Sequence, residues 1–171
     1  IDEPIDEPID EPIDEPGNPP SNTQTTDTCA DCPLGKYNTG TANTSCSNCE
    51  AGKYGPTTGR TECVTVQNGY YASNGSQTYV SSGAVAEEAC ADGSFNADGS
   101  GDCVDVQNGY FGNTGGAHVN SGATAETACA EGTYSTNGTG ACQTVTDGYY
   151  ASDGSQTYVS SGAVAQEACA D

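Results

Sequence analysis

Methionine and tryptophan are absent from this 171-residue chain, leucine occurs once (Leu34), phenylalanine twice, and all four isoleucines fall within the first thirteen residues. That shortage excludes an ordinary hydrophobic core. A chain of this length normally buries about two-thirds of its unfolded surface, but here only valine, tyrosine and small residues are available to bury. Basic residues are almost as scarce: Lys36, Lys53 and Arg60 stand against 24 acidic residues, for a net charge of −21. Charge-driven binding to nucleic acid or to an anionic membrane is thereby excluded. No apolar run approaches the roughly 20 residues of a membrane span, so no direct membrane insertion is expected. The single histidine, His118, lies among Gly, Ala, Asn and Val with no pattern of a partnered nucleophile, so no enzyme and no catalytic residue is expected. The start at Ile1 shows no signal-peptide pattern and reads as a mature chain or a fragment.

Ten cysteines in a Gly-, Ser-, Thr- and Asn-rich chain are what is present instead. They point to an oxidising, extracellular compartment in which covalent staples substitute for burial. Cys29, Cys32, Cys46, Cys49 and Cys63 follow a C-x2-C-x13-C-x2-C-x13-C ladder. Within it Cys32-Pro-Leu-Gly-Lys-Tyr37 aligns with Cys49-Glu-Ala-Gly-Lys-Tyr54, so residues 29–63 hold two copies of one module. The same C-x-x-G-x-aromatic opening recurs from Cys90 to Cys103 and from Cys129 to Cys142. Between these loops lie segments opening Val66-Gln-Asn-Gly-Tyr-Tyr71, Val106-Gln-Asn-Gly-Tyr-Phe111 and Val145-Thr-Asp-Gly-Tyr-Tyr150, which read as the same module without its cysteines.

The register supports that reading. Val66, Val106 and Val145 each sit three residues after a cysteine, and Glu87, Glu126 and Gln166 each sit three before one. Joint loss of both ends of a loop is expected if the two ends are bonded to each other. The pairing so implied is Cys32–Cys46, Cys49–Cys63, Cys90–Cys103 and Cys129–Cys142, with Cys29 and Cys169 left for a disulfide between successive subunits. A second scheme, 29–46, 32–49, 63–90, 103–129 and 142–169, leaves no thiol over and stays open at this stage. A four-cysteine zinc ribbon over Cys29, Cys32, Cys46 and Cys49 fits the spacing too, but the continuing ladder has no need of a metal.

On a longer scale, residues 69–92 and 148–171 differ at two positions only, Asn74/Asp153 and Glu87/Gln166. Residues 64–171 thus form tandem units of about forty residues, the last incomplete, suited to a stack in which each unit touches its neighbours. Asn68-Gly69 and Asn108-Gly109, flanked by Val and Tyr, are hairpin-turn signals that place short strands around them. The fold class expected is a small, disulfide-rich, short-stranded tandem array forming an elongated rod, with Tyr and Val packed between the disulfides.

At Cys32-Pro-Leu-Gly-Lys-Tyr37, Cys46-Ser-Asn-Cys49 and Gly52-Lys-Tyr54 the chain resembles the ephrin-receptor-like (GCC2/GCC3) cysteine-rich repeats, cousins of the tumour-necrosis-factor-receptor modules. The resemblance implies an elongated, β-poor extracellular rod, as used in receptors, surface antigens and appendages, with no catalytic residues.

Residues 1–16 are four copies of Ile-Asp-Glu-Pro. Proline at every fourth position excludes a helix and a central strand, leaving polyproline II, in which sixteen residues span roughly 50 Å. Successive isoleucines step around the rod, so no apolar stripe forms, and eight carboxylates stiffen it by repulsion. Order must come from outside, either from a groove on a neighbouring subunit or from sugars on hydroxylated Pro4, Pro8, Pro12 and Pro16. Residues 17–28 read as a linker. An acidic proline repeat joined to a cysteine-rich array is similar in architecture to the glycosylated filaments and mastigonemes of single-celled eukaryotes.

Other candidate sites are modest. Asn43, Asn74 and Asn137 head N-glycosylation sequons, so covalent glycans are expected. Asp98 and Asp102, with Asp92 nearby, and the acidic tail offer oxygens for weak Ca²⁺ binding, without the EF-hand spacing; no resident cofactor or metal is expected. Two functions stand against each other. The first is a structural subunit of an extracellular filament that assembles from copies of itself, and the second is the ectodomain of a receptor, adhesin or surface antigen. Near-identity of the repeats favours the filament, because an array selected for ligand recognition would diversify its loops.

Overall fold

The computed structural model describes residues 31–40 and 45–170. The tail, the linker, Cys29 and Asn43 lie outside the described residues. Among the described residues there is no helix, and the strands are two to five residues long. Antiparallel pairs run down the chain: β1 (Lys36–Tyr37) with β2 (Ser47–Asn48), β3 (Lys53–Tyr54) with β4 (Val64–Thr65), β5 (Tyr70–Ser73) with β6 (Ala86–Ala89), and β7 (Ser94–Phe95) with β8 (Val104–Asp105). Next, β9 (Tyr110–Thr114) pairs with both β10 (Ala117–His118) and β11 (Ala125–Ala128), β12 (Thr133–Tyr134) with β13 (Gln143–Thr144), and β14 (Tyr149–Ser152) with β15 (Ala165–Ala168).

One local device starts every pair. Each first strand is entered through a four-residue turn whose third residue is glycine, closed by hydrogen bonds such as Lys36 N to Pro33 O (3.2 Å), Tyr70 N to Gln67 O (3.1 Å) and Tyr149 N to Thr146 O (3.0 Å). These glycines, 35, 52, 69, 93, 109, 132 and 148, have φ between 73° and 86°, the left-handed value that a type II turn requires at its third position. Asn68-Gly69 and Asn108-Gly109 are therefore turns, as their composition implies, but not hairpin turns. Each joins the last strand of one pair to the first strand of the next, since β4 pairs with β3 and β5 with β6. The hairpin signal fails because a single positive φ belongs to an entry turn, whereas a type I′ hairpin needs two in succession.

The turn glycine then accepts the N–H that follows the second strand. Cys49 N donates to Gly35 O, Val66 N to Gly52 O, Cys90 N to Gly69 O, Val106 N to Gly93 O and Cys129 N to Gly109 O, all at 2.8–2.9 Å. Val66 and Val106 thus occupy the same structural position as Cys49, Cys90 and Cys129. All five are buried, with relative exposures of 0–5%.

The buried apolar residues are these positions together with Cys32, Ala72, Ala84, Ala123, Ala151 and Ala163. Val66, Ala72 and Ala84 form one cluster, against which Tyr54 and Tyr70 are half-buried. With so little apolar volume, polar groups enter the interior, and Ser73, Ser152, Asn96, Asn113 and Ser135 are buried. Each is hydrogen-bonded, as burial of a polar group demands; Asn96, for example, donates to Gly101 O and accepts from Gly99 N, both at 2.9 Å.

Successive pairs are joined by main-chain hydrogen bonds. Gly55 N donates to Ala84 O (2.9 Å), Asn96 N to Ala123 O (3.0 Å) and Ser135 N to Ala163 O (3.0 Å), while Gly83, Gly122 and Gly162 donate to the carbonyls of Cys49, Cys90 and Cys129, each at 2.8 Å. Each interior strand pair therefore has backbone partners in the pair before it and the pair after it.

Candidate functional site: staples, clamps and surface groups

The disulfides are Cys32–Cys46, Cys49–Cys63, Cys90–Cys103 and Cys129–Cys142. They are the pairs implied by the joint loss of loop ends, and the alternative scheme has no counterpart among them. Three of the four sulfurs of the zinc-ribbon pattern, those of Cys32, Cys46 and Cys49, are bonded in this way and carry no thiolate to offer a metal. Cys169 is a free, exposed cysteine; its proposed partner Cys29 lies outside the described residues.

Sequence reasoning missed what replaces a lost disulfide. Where a loop has no cysteines, the residue at the position of the second cysteine is an acid or amide that holds the start of the loop by hydrogen bonds. Glu87 Oε2 accepts from Gln67 N (3.0 Å) and its Oε1 from Gln67 Nε2 (2.9 Å). Glu126 repeats this on Gln107 at 2.9 and 2.7 Å, and Gln166 Oε1 accepts from Thr146 N at 2.9 Å. The signal was in the sequence, since all three replaced cysteines are Glu or Gln. Composition alone reads such residues as solvated charge.

Glu87 does more. Tyr54 Oη, one strand pair earlier, donates to its Oε1 at 3.2 Å, so one carboxylate ties two units. Burial of the Tyr54 phenol, followed by the negative charge of Glu87 and their hydrogen bond, raises its pKa above the usual 10.0.

The acidic groups considered for Ca²⁺ serve local structure. Asp98 Oδ1 accepts from Ser100 N (2.9 Å) and Ser100 Oγ (2.7 Å), which holds its pKa below the usual carboxylate value. Asp102 Oδ1 accepts from Cys103 N at 2.8 Å. Asp92 reaches the next disulfide loop, taking Gly140 N on both oxygens at 3.0 and 3.1 Å, and His118 Nε2 lies 3.4 Å from its Oδ1. These carboxylates do not converge, and among the described residues no cluster of three or more His, Cys, Asp or Glu is placed to hold a metal. His118 lies beside Asp92 and 6.3 Å from the Phe111 ring.

Of the sequons, Asn74 and Asn137 are exposed at turn tips. Asn137 Oδ1 accepts from Thr139 Oγ1 at 2.7 Å and Asn74 Oδ1 from Ser76 N at 2.8 Å. An open groove of about 500 Å³ lies between the β5–β6 hairpin and the Cys90–Cys103 loop, lined by Tyr71, Gln77, Tyr79, Glu88 and Asp102. The middle unit keeps none of these polar groups, having Phe111, His118, Thr127 and Ala141 in the corresponding places. No protein-family model and no curated protein matches the chain.

Proposed function

We propose that this chain is a structural subunit of an extracellular, glycosylated filament or appendage, an elongated rod of tandem units that assembles end to end with copies of itself. The observation that supports this most is the interface between units. It consists of the same main-chain bonds repeated along the chain, from Gly55–Ala84 to Asn96–Ala123 to Ser135–Ala163. A head-to-tail contact of this kind closes into a ring where its rotation closes and otherwise continues as an open array.

Other features agree with that reading. Four disulfides fit an oxidising compartment. The likeness of the first modules to ephrin-receptor-like repeats, and of the whole architecture to mastigonemes, belongs to the same class of extracellular rods. The Ile-Asp-Glu-Pro segment is the polyproline II tail that lies along the next subunit or carries sugar on Pro4, Pro8, Pro12 and Pro16. Cys29 stands where loops close and Cys169 where they open, so the two are complementary, and a Cys29–Cys169 bond between copies completes one staple. No catalytic role and no resident metal enters this function. Gel mobility of secreted material is the test: a ladder of oligomers without reductant that collapses to one band with it is expected, and a single band in both lanes contradicts the covalent link.

The groove beside Tyr71 and Tyr79 favours a second reading, a receptor-like binding module. It requires a monomer that holds a ligand in that groove.

A further inference from the structure

We infer that the groove between the β5–β6 hairpin and the Cys90–Cys103 loop binds a primary alkylammonium group. This rests on the binding-module reading, which it deepens by naming the ligand class, and it holds whether or not the chain also assembles.

The groove, about 500 Å³, is lined by the half-buried Tyr71 and Tyr79, by Gln77 and by the carboxylates of Glu88 and Asp102. Each carboxylate makes one local bond: Glu88 Oε1 accepts from Ser73 Oγ at 3.1 Å and Asp102 Oδ1 from Cys103 N at 2.8 Å. Neither is paired with a cation. Lys36, Lys53 and Arg60 are absent from the lining, and the ion pairs among the described residues are Lys53–Glu50 and His118–Asp92. Burial, then the charge of Glu88, then that of Asp102, raise the pKa of the Tyr71 phenol above the usual 10.0, so both carboxylates act on one ring. Two uncompensated charges beside two aromatic rings complement an organic cation, through charge-assisted hydrogen bonds to the oxygens and cation–π contact with the rings. A primary ammonium brings three donors, matching Glu88, Asp102 and the Gln77 amide oxygen, and its alkyl stem packs on the tyrosines. An anion is repelled, and a neutral sugar leaves both charges uncompensated. The net charge of −21 concentrates cations at such a site.

The backbone gives an independent sign. Gln77 has φ 55°, and among the described residues it and its repeat equivalent Gln156 (φ 61°) are the non-glycine residues in the left-handed region. In the middle unit the residue two before His118 is Gly116, at φ 87°, so the fold accepts glycine there without strain. Gln77 keeps its side chain at a backbone cost, as residues of ligand clamps do. The middle unit lacks the strained glutamine and, with Thr127 and Ala141 in place of Glu88 and Asp102, both carboxylates as well. The three are lost together, as groups serving one ligand would be.

The test is equilibrium dialysis of the full chain against radiolabelled n-butylammonium at pH 7 and about 0.15 M salt, which screens diffuse attraction to the acidic tail. A saturable component is expected. Glu88→Gln and, separately, Asp102→Asn should weaken it about tenfold; each keeps an oxygen for the local hydrogen bond, so the fold is preserved. Asp105→Asn, which removes an exposed carboxylate outside the groove, should leave it as it was. Gln77→Gly should weaken binding without lowering the urea midpoint, because glycine relieves the left-handed strain. No saturable component, equal weakening by Asp105→Asn, or a Glu88→Gln variant that binds like the parent would each overturn the proposal. N-acetyl-lysine methylamide, run in parallel, identifies the source: tighter binding than butylammonium assigns a partner protein's lysine, weaker binding a free amine, and either supports the site. Maltotriose separates the two ideas. If it binds saturably and in a Glu88-dependent way while butylammonium does not, the cation is overturned and the binding module stands; if neither binds, both fail.

Discussion

Gly109 and Gly148 have the same turn and almost the same φ, 84° and 86°, but different surroundings, which makes them a matched pair for measuring what one unit contributes to the next. Alanine at either residue meets the same backbone penalty, about 1 kcal/mol for a left-handed residue with a Cβ. At Gly109 the new methyl also overlaps the Gly162 carbonyl. Gly109→Ala should therefore cost at least about 3 kcal/mol in urea unfolding, and Gly148→Ala about 1 kcal/mol. Tyr54 gives a pH prediction. Because burial and Glu87 raise its pKa in the fold above 10.0, its contribution is intact below about pH 10 and lost as pH rises through the folded value. Tyr54→Phe should flatten the fall of stability above pH 10, read as urea midpoints from pH 9 to 11. Gly69 and Gly109 were legible in the sequence as turn residues. Their second role was not, because a Cα packed against a carbonyl two strand pairs away leaves no mark in local sequence.

At the scale of elements, staple and clamp are two solutions to one geometry. Tyr37 pairs with Ser47 next to Cys46 in the first unit, and Tyr71 pairs with Glu88 next to Glu87 in the third, so Val66 and Glu87 stand where Cys32 and Cys46 stand. Val66→Cys with Glu87→Cys should therefore form a fifth disulfide. Closing that loop is worth about 3 kcal/mol, measured as a higher urea midpoint together with an unchanged count of free thiols. Conversely, Cys90→Ser with Cys103→Ser should lose about 3 kcal/mol. The pairing of cysteines was readable because both ends of a loop had been lost three times in register. The placement of strands was less so: Asn-Gly marks a turn correctly, but which strands the turn joins is set by the disulfide loops on either side, not by the dipeptide.

For the whole molecule, the near absence of Leu, Ile, Met and Trp from the array has a structural consequence. Sulfur, alanine and buried hydrogen-bonded serine and asparagine replace the usual core, so order is held by covalent staples and main-chain bonds. Full reduction should unfold the array, visible as loss of its β-signal in circular dichroism at reductant concentrations that leave an ordinary hydrophobic domain intact. The central claim is that this array and its acidic proline tail build a filament. Electron microscopy of the purified, untreated protein tests it most directly. Filaments with extra density on Pro4, Pro8, Pro12 and Pro16 are the expected result, and monodisperse particles with a bare tail would contradict it.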